Sequence, residues 1–430
     1  MIRVLLCDKL WFVGRAVITG IGLVGPTGWD VRGFWDSILS GPACIRRITR
    51  FDPTSYTSQI AAEVPDRGYE ELIDPRKIRT STHVTRMALA AAEFALRDAR
   101  LSSRWDDPSR VGVIVGTSLG GWFEAEQQHA VLLERGARRV NPFIANGAPN
   151  HAAGTEVAGA LGAQGPQATF SSGCVSSLQA IGHAATLVAT DEVDVCLAGG
   201  FESPIAPLIM AGMGRTQELS ARNDDPLRAS RPFDVEHAGI VLGEGSCFVV
   251  LESAERAAAR GIDPYAVVLG SASSCDGAGL FAVDPSGRVG ASAIRRVIQR
   301  AGLGSADIDY VCSHANSSPT FDRKETTVVK AAFGEDARRL AVSSIKGVIG
   351  HPFGASGAFQ TAASALALRH QTVPPTHNLG TPDPECDLDY VPGEARQGRV
   401  RNALVTSYGY GGLNTYLLLS TLADAPAPTA

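Results

Sequence analysis

FSSGCVSSLQAIGHAATLVA, residues 170–189, sets one cysteine among glycine and serines directly ahead of an alanine-rich run. The preceding GPQATF reads as a short strand closing at Phe170, and the apolar run after Cys174 reads as a helix. The thiol then stands on the turn between strand and helix, near a helix N-terminus. Unpaired backbone N–H groups and the macrodipole favour an anion there, so a thiolate is expected near neutral pH. A small buried thiol is also an ordinary core residue. Cys174 is therefore a candidate nucleophile only if the rest of the chain supplies partners for it.

Strand-like apolar runs alternate with alanine-rich helical ones on both sides of this stretch. RAVITGIG, VGVIVGTS, DVCLAGG, CFVVLE, YAVVLGSASS, DYVCSHA, LAVSSIKG and NALVTSYG read as strands, with helices such as VTRMALAAAEFALRDA between them. The alternation predicts an α/β fold with mostly buried strands. Several strands run into Gly/Ser-rich turns, the usual place for active sites in such sheets. TFSSGCVSSLQAIGHAATLVA and VSSIKGVIGHPFGASGAFQTAASALAL both pass from a strand end through a Ser/Gly loop into an Ala-rich helix, as duplicated halves would. The charge cluster, glycine and proline of ERAAARGIDP place the boundary between halves near residues 255–265. The expected organisation is an N-terminal extension over 1–13, halves over 14–260 and 261–421, and a disordered Pro/Ala-rich tail over 422–430.

The 430 residues are 44% hydrophobic and 19% charged, with a formal charge of −5. That balance, without a Lys/Arg cluster, argues against nucleic acid as a partner. No apolar run approaches the roughly 18 residues of a membrane span. MIRVLLCDKLWFVG is apolar but short and lacks a small-residue cleavage site, so it reads as an extension rather than a signal peptide. Eight cysteines (Cys7, Cys44, Cys174, Cys196, Cys247, Cys275, Cys312, Cys386) are scattered without CxxC pairs, which suits reduced thiols in the cytoplasm and neither disulfides nor a metal site. Gly20-Ile21-Gly22-Leu23-Val24-Gly25 fits GxGxxG after a strand. Pro26 and Gly28 follow at once, the helix starts only near Trp29 or Asp30, and no acidic residue closes a second strand, so no dinucleotide site is expected.

Three further stretches put a polar group at the mouth of a strand. His314 lies in DYVCSHANSSPTFDRKE, Lys346 and His351 in AVSSIKGVIGHPFGASGAF, and TSYGYGGLN (406–414) is a glycine-rich turn. Two imidazoles beside a nucleophilic thiol can donate two N–H bonds to one developing oxyanion, and a neighbouring lysine adds positive potential. His83, His129, His151, His183, His237, His370 and His377 lack such settings and read as surface or core residues.

Over about residues 14 to 420 the chain resembles the β-ketoacyl-acyl carrier protein synthases, the ketosynthases of the thiolase superfamily. AVITGIGLVGPTG resembles their N-terminal strand and loop, and RNDDPLRASRPFDVEHAGIVLGEG (222–245) and VPPTHNLGTPDPECDLDYVPGEAR (373–396) resemble two further family segments. Cys174 falls on the family nucleophile, His314 on its HGTGT-like motif, and Lys346 and His351 on its KxxxGH motif. Tyr408-Gly409-Tyr410-Gly411-Gly412 falls on its FGFGG turn. The resemblance implies a thiolase fold, five-layer αβαβα built from two related halves and normally dimeric, with the nucleophile in the first half and the two histidines in the second. It implies no bound cofactor: substrates ride on the phosphopantetheine of an acyl carrier protein. It further implies that the backbone N–H groups of Cys174 and Tyr408, beside Gly409, form an oxyanion hole, and that Tyr408 acts as an aromatic gate.

Departures from the pattern bear on substrate. Asn316 and Ser318 replace two threonines that would bind pantetheine, and Ala315 replaces a glycine. Gln360 stands where a glutamate partner of the lysine is expected, and Leu413 replaces a threonine. Gly173 and the run Asp322-Arg323-Lys324-Glu325-Thr326 resemble type II polyketide subunits, whereas RNDDPLRASRP and VPPTHNL resemble the fatty-acid type. The favoured reading is a ketosynthase of a type II polyketide or specialised fatty-acid pathway, as a homodimer or paired with a ketosynthase-like chain-length factor. The alternatives are a housekeeping fatty-acid elongation enzyme or a catalytically idle chain-length-determining subunit, which usually lacks the nucleophile. A decarboxylating variant often replaces the cysteine, and a degradative thiolase needs a second cysteine that TSYGYGGLN lacks. Leu208, Ile209, Met210 and Met213 resemble a stretch lining the substrate tunnel or dimer interface, and simple core packing explains them equally well.

Overall fold

The computed structural model describes residues 15–65, 68–280 and 282–426, so the expected extension over 1–13 lies outside the described residues. The main sheet contains β1 (Ala16–Val24), β2 (Val111–Gly116), β3 (Gln167–Phe170), β4 (Val195–Glu202), β5 (Gly245–Ser253), β6 (Ala266–Cys275), β7 (Tyr310–Cys312), β8 (Ala341–Ser343), β9 (Asn402–Gly409) and β10 (Leu413–Ser420). Their order is β3-β2-β4-β5-β1-β6-β10-β9-β7-β8. In the first five, β3, β2 and β4 run parallel, β5 is antiparallel to β4, and β1 is antiparallel to β5. The second five repeat this: β8, β7 and β9 are parallel, β10 is antiparallel to β9, and β6 to β10. Each half thus has the same strand order and directions, and they meet where Val17 and Ile18 pair with Val267 and Ala266.

Helices complete five layers. α1 (His83–Asp98) covers β1 and β5 on one outer side; α2 (Ser176–Ala189) precedes the short α3 (Pro207–Arg215); α4 (Arg288–Arg300) and α5 (Pro319–Phe333) pack together on the other outer side. α2 and α6 (Ser356–His370) touch each other and strands of both halves, forming the middle layer. Every residue of α6 from Ser356 to Leu368 is buried, which accounts for its lack of a polar face. Gly20 and Gly22 are there for packing: a Cβ on Gly22 would lie 2.1 Å from the Ala95 nitrogen of α1. The helix after them, Val31–Ser40, is capped by Asp30, whose carboxylate accepts from Gly33 N–H.

Two expectations change. LNTYLLLS was not read as a strand, yet it forms β10, because Gly411 and Gly412 at φ 84° and 73° reverse the chain directly after β9. Residues 422–426 are not a loose tail. Asp424 N–H donates to Thr421 Oγ1, Ala425 N–H to the Thr421 carbonyl, and Arg15 to the Ala425 carbonyl; residues 427–430 lie outside the described residues. No helix among the described residues is long and apolar enough to cross a membrane.

A buried ion pair ties the 44–65 segment to the sheet beside the site. Glu244, fully buried, accepts from Arg50 Nη1 at 2.7 Å, from Ser203 Oγ at 3.0 Å and from Val64 N–H at 2.8 Å. Burial pushes its carboxyl up, but the charges of Arg50 and His83 outweigh this and hold it at about 2. Arg50→Ala strands that carboxylate and costs about 3–5 kcal/mol, read in equilibrium denaturation at pH 7. Because the folded pKa lies below the unfolded one, Glu244 stabilises the fold above about pH 4.5 and the contribution is lost as pH falls towards 2. The wild type therefore loses stability over that window faster than Arg50→Ala does, and parallel pH–stability curves would refute the assignment.

Candidate active site

β3 ends at Phe170, and a single tight turn, Gly173–Val175, leads into α2. Gly173 takes φ 60°, a backbone state that favours glycine. Ser176 Oγ fixes the turn by accepting from Ser172 N–H and donating to the Gly173 carbonyl. Cys174, 7% exposed, is the middle residue of this turn. The second half has the same device: the turn Phe353–Ala355 leads into α6, with Gly354 in the middle. A Cβ on Gly354 would lie 2.5 Å from Ser118 N and 2.7 Å from Glu202 Oε2, so only the first half has room for a side chain there.

His351, three residues before Gly354, reaches back to the other half, with Nε2 3.2 Å from Cys174 Sγ. The His314 ring centre lies 5.0 Å from that of His351, at 90° to it. His314 follows β7, and its main chain is held on both sides: its N–H donates to Glu325 Oε2 at 2.8 Å and Thr406 Oγ1 at 3.0 Å, and its carbonyl accepts from Lys346 Nζ at 2.5 Å. Both His314 ring nitrogens and His351 Nδ1 are buried without a hydrogen-bond partner. Buried polar groups left unpaired are expensive, so these atoms are set for a group that binds there. Burial, and next the charge of Lys346, depress the pKa of both imidazoles well below the usual histidine value, so each is neutral and offers one N–H.

The thiol differs from its expected state. Burial pushes Cys174 up to about 12; Lys346 pulls it down and Glu202 pushes it further up. The helix N-terminus does not leave a standing thiolate, because a buried anion loses more solvation than the nearby dipoles return. Lys346 is itself depressed by burial, against the pull of surrounding acidic groups, to about 8.

Glu325 is the acidic group that the sequence reading missed. It accepts from Ser313 Oγ, His314 N–H, Thr406 Oγ1 and Tyr408 Oη at 2.8–3.2 Å, and lies close enough to Lys346 to support its charge. Gln360 does not meet Lys346 as expected. Its Nε2 donates to the carbonyls of Cys312, Ser313 and Thr406, stapling the ends of β7 and β9, and its Oε1 accepts from Ser356 Oγ. A signal for Glu325 existed in the sequence: Asp322, Glu325 and Val329 recur at helical spacing on the buried face of α5.

Tyr408 is also corrected as the gate. Its ring is fully buried behind His314, 5.7 Å away, and does not line the cavity that opens in front of Cys174. Tyr410 lines it instead, with Oη donating to Glu218 at 2.7 Å. Gly409 abuts Cys174: a Cβ there would lie 3.6 Å from the Cys174 nitrogen, and Ser407 Oγ donates to the Cys174 carbonyl. The cavity, about 450 Å³, is walled mainly by Leu119, Leu208, Ile209, Met213, Leu280 and Phe353, while Met210 is buried in the adjoining core. Asn316 and Ser318 are buried in the loop after His314. Asn316 Oδ1 accepts from Ser318 N–H, and Asn316 Nδ2 is without a partner. Ala315 is buried, its carbonyl held by Ser344 Oγ. Leu413 opens β10 opposite Gly409. Among the described residues no group of three or more His, Cys, Asp or Glu could hold a metal ion.

The family description "Beta-ketoacyl synthase, N-terminal domain" matches residues 14–257, and "Beta-ketoacyl synthase, C-terminal domain" matches 265–380. The chain is 38% identical over 410 residues to the 3-oxoacyl-[acyl-carrier-protein] synthase 2 of Coxiella burnetii, covering 95% of this chain and 99% of that one. It is 38% identical over 413 residues to the tetracenomycin polyketide synthase ketoacyl synthase alpha subunit of Streptomyces glaucescens, covering 94% and 97%. The solved ishigamide ketosynthase/chain length factor superposes with a TM-score of 0.89 at 29% identity, over 95% of this chain and 99% of that one. With both halves matched and such relatives spanning nearly its full length, the chain belongs to the β-ketoacyl synthase family, enzymes of the acyltransferase class.

Proposed function

We propose that the chain condenses an acyl group held on Cys174 with a malonyl unit, both delivered on the phosphopantetheine of an acyl carrier protein. The observation that carries this is the thiol 3.2 Å from one neutral imidazole, with a second, unpartnered imidazole centred 5.0 Å from the first, at an apolar cavity. In the first step Cys174 Sγ attacks the carrier's thioester carbonyl. Its proton is lost to water and the departing pantetheine sulfur takes one up, leaving the acyl group on Cys174. The N–H groups of Cys174 and Tyr408 receive the transient oxyanion. In the second step malonyl thioester loses CO2, and the C–C bond pair becomes an enolate whose oxygen takes one N–H each from His314 and His351. The enolate carbon then attacks the Cys174 thioester, the C–S bond breaks, and the β-ketoacyl carrier leaves as the thiol is reprotonated. Asn316 and Ser318 contact pantetheine in both steps.

Similarity to both polyketide and fatty-acid enzymes supports a type II polyketide or specialised fatty-acid pathway, and the neighbour described as a ketosynthase/chain length factor supports a paired subunit, a homodimer being the other arrangement proposed. The unpaired thiols support a cytoplasmic setting. The test is intact-protein mass after incubation with a panel of acyl carriers, followed by malonyl carrier. A mass gain discharged by malonyl carrier with release of β-ketoacyl product is expected. No gain on folded, carrier-binding protein, also with a co-expressed ketosynthase-like partner, overturns the proposal.

The pH dependence follows from the charges. The imidazoles stay neutral and the thiol titrates far above neutrality, so Lys346 is the group that changes state near pH 8. Its ammonium lowers the energy of the thiolate formed in attack. Single-turnover acylation is therefore expected to be flat from about pH 6 and to fall as pH rises through about 8. A rate that climbs through pH 8–9, as for a free thiol of pKa about 8.5, contradicts this.

A further inference from the structure

His237 reads from sequence as an ordinary core or surface residue, yet the fold sets its ring between two carboxylates. Nδ1 lies 2.9 Å from Asp322 Oδ2 at the start of α5, and Nε2 lies 3.0 Å from Asp383 Oδ2 in the loop following residue 380. Both carboxylates are already acceptors. Asp322 receives Phe233 N–H on Oδ2 and Asn316 N–H on Oδ1, while Asp383 receives Arg323 on Oδ2 and Glu385 N–H on Oδ1. With no proton to spare on either side, the ring must donate from both nitrogens, which only the imidazolium can do. The charged groups around it are Asp322 and Arg323 from α5, Asp383 and Glu385 from the loop, and Asp234 and Glu236 from its own segment, these last two also paired with Arg231.

The chain of bonds leads to the loop after His314. Asp322, fixed by His237, holds Asn316 N–H, and Gly239 N–H, two residues beyond His237, donates to the Ser317 carbonyl at 2.9 Å. Ser317 sits at φ 71°, an unfavourable backbone state for serine that such bonds maintain. Asn316 Nδ2 and Ser317 Oγ are buried with no partner. His314 itself is anchored elsewhere, on Glu325, Thr406 and Lys346. We propose that His237, as a cation clamped between Asp322 and Asp383, is a positioning residue that holds Asn316–Ser318 in the geometry that receives the carrier's pantetheine arm. This rests on the reading of that loop as the pantetheine contact. The clamp acts on binding of the arm and leaves the imidazole of His314 in place.

Two measurements test it. A long-range 1H–15N spectrum of the histidine-labelled enzyme at pH 8, with His237 assigned by substitution, is expected to show both its ring nitrogens protonated, whereas His314 and His351 show one protonated and one bare nitrogen. His237→Gln, which keeps a donor on one side only, sets an acceptor oxygen on the other and carries no charge, is expected to raise KM for the acyl carrier roughly 10-fold or more with kcat within about 3-fold. His237→Arg, which restores a cation with several donors, is expected to recover most of the loss, which a merely structural defect would not allow. A neutral His237 ring at pH 8 overturns the clamp. So does a KM moved by Asn316→Ala but not by His237→Gln, a result that leaves the loop's role standing. KM unmoved in all three of His237→Gln, Asn316→Ala and Ser318→Ala overturns the loop's role and the clamp with it.

Discussion

Cys174→Ala is expected to abolish the acyl-enzyme and to lower condensation by roughly 10⁴-fold or more, as loss of a nucleophile that acts as a unit with its partners does. The serine hydroxyls that bond the backbone of the Cys174 turn are already engaged. Ser176 Oγ is engaged by Ser172 N–H and the Gly173 carbonyl, Ser407 Oγ donates to the Cys174 carbonyl, and the equivalent position in the second half is Gly354, where a side chain does not fit. The variant keeps its fold, because one buried sulfur facing a cavity contributes on the order of 1 kcal/mol. Intact mass and thermal unfolding measured on the same sample separate the two effects. An acyl adduct on the folded variant, or condensation retained within 10-fold, would remove Cys174 from the reaction.

His314→Ala is expected to separate the two steps. Its ring nitrogens make no protein hydrogen bond, so removing the ring breaks no internal contact of that kind; the N–H it offers matters when an enolate forms. Loss of one such donor from a dry site costs about 3–4 kcal/mol in the barrier, or roughly 10²–10³ in rate. Cys174 and His351 remain paired at 3.2 Å, so acylation continues and the acyl-enzyme accumulates on addition of malonyl carrier. The readout is the time course of acyl-enzyme mass against CO2 release. Equal losses in both steps would mean that His314 supports the nucleophile instead.

Much of this was legible in the chain. Buried strands run as continuous apolar stretches, and the strand–glycine–helix punctuation around Cys174, His314 and His351 survives in sequence because each turn needs small residues. The paired α2 and α6 turns announced a duplication that the repeated strand order makes explicit. β10 was missed because a tight hairpin leaves no polar linker to mark a new strand. Glu325, His237 and Tyr410 were missed for a different reason. Glu325 meets Thr406 81 residues away, His237 meets Asp322 and Asp383 85 and 146 away, and Tyr410 meets Glu218 192 away. No local pattern marks these pairings, and the helical spacing of Glu325 marks only its burial.

By itself the sequence determined the α/β class, the two halves and the residues that resemble a condensing enzyme's, because periodicity and turn chemistry are local and act over a few residues. Only the tertiary structure decided their electrostatic state. Burial turned a thiol expected to ionise readily into one near 12, placed Glu325 rather than Gln360 beside the lysine site, and put Tyr410 rather than Tyr408 at the cavity. Desolvation and charge pairing depend on which distant segments meet, and that information exists only once the chain has closed on itself.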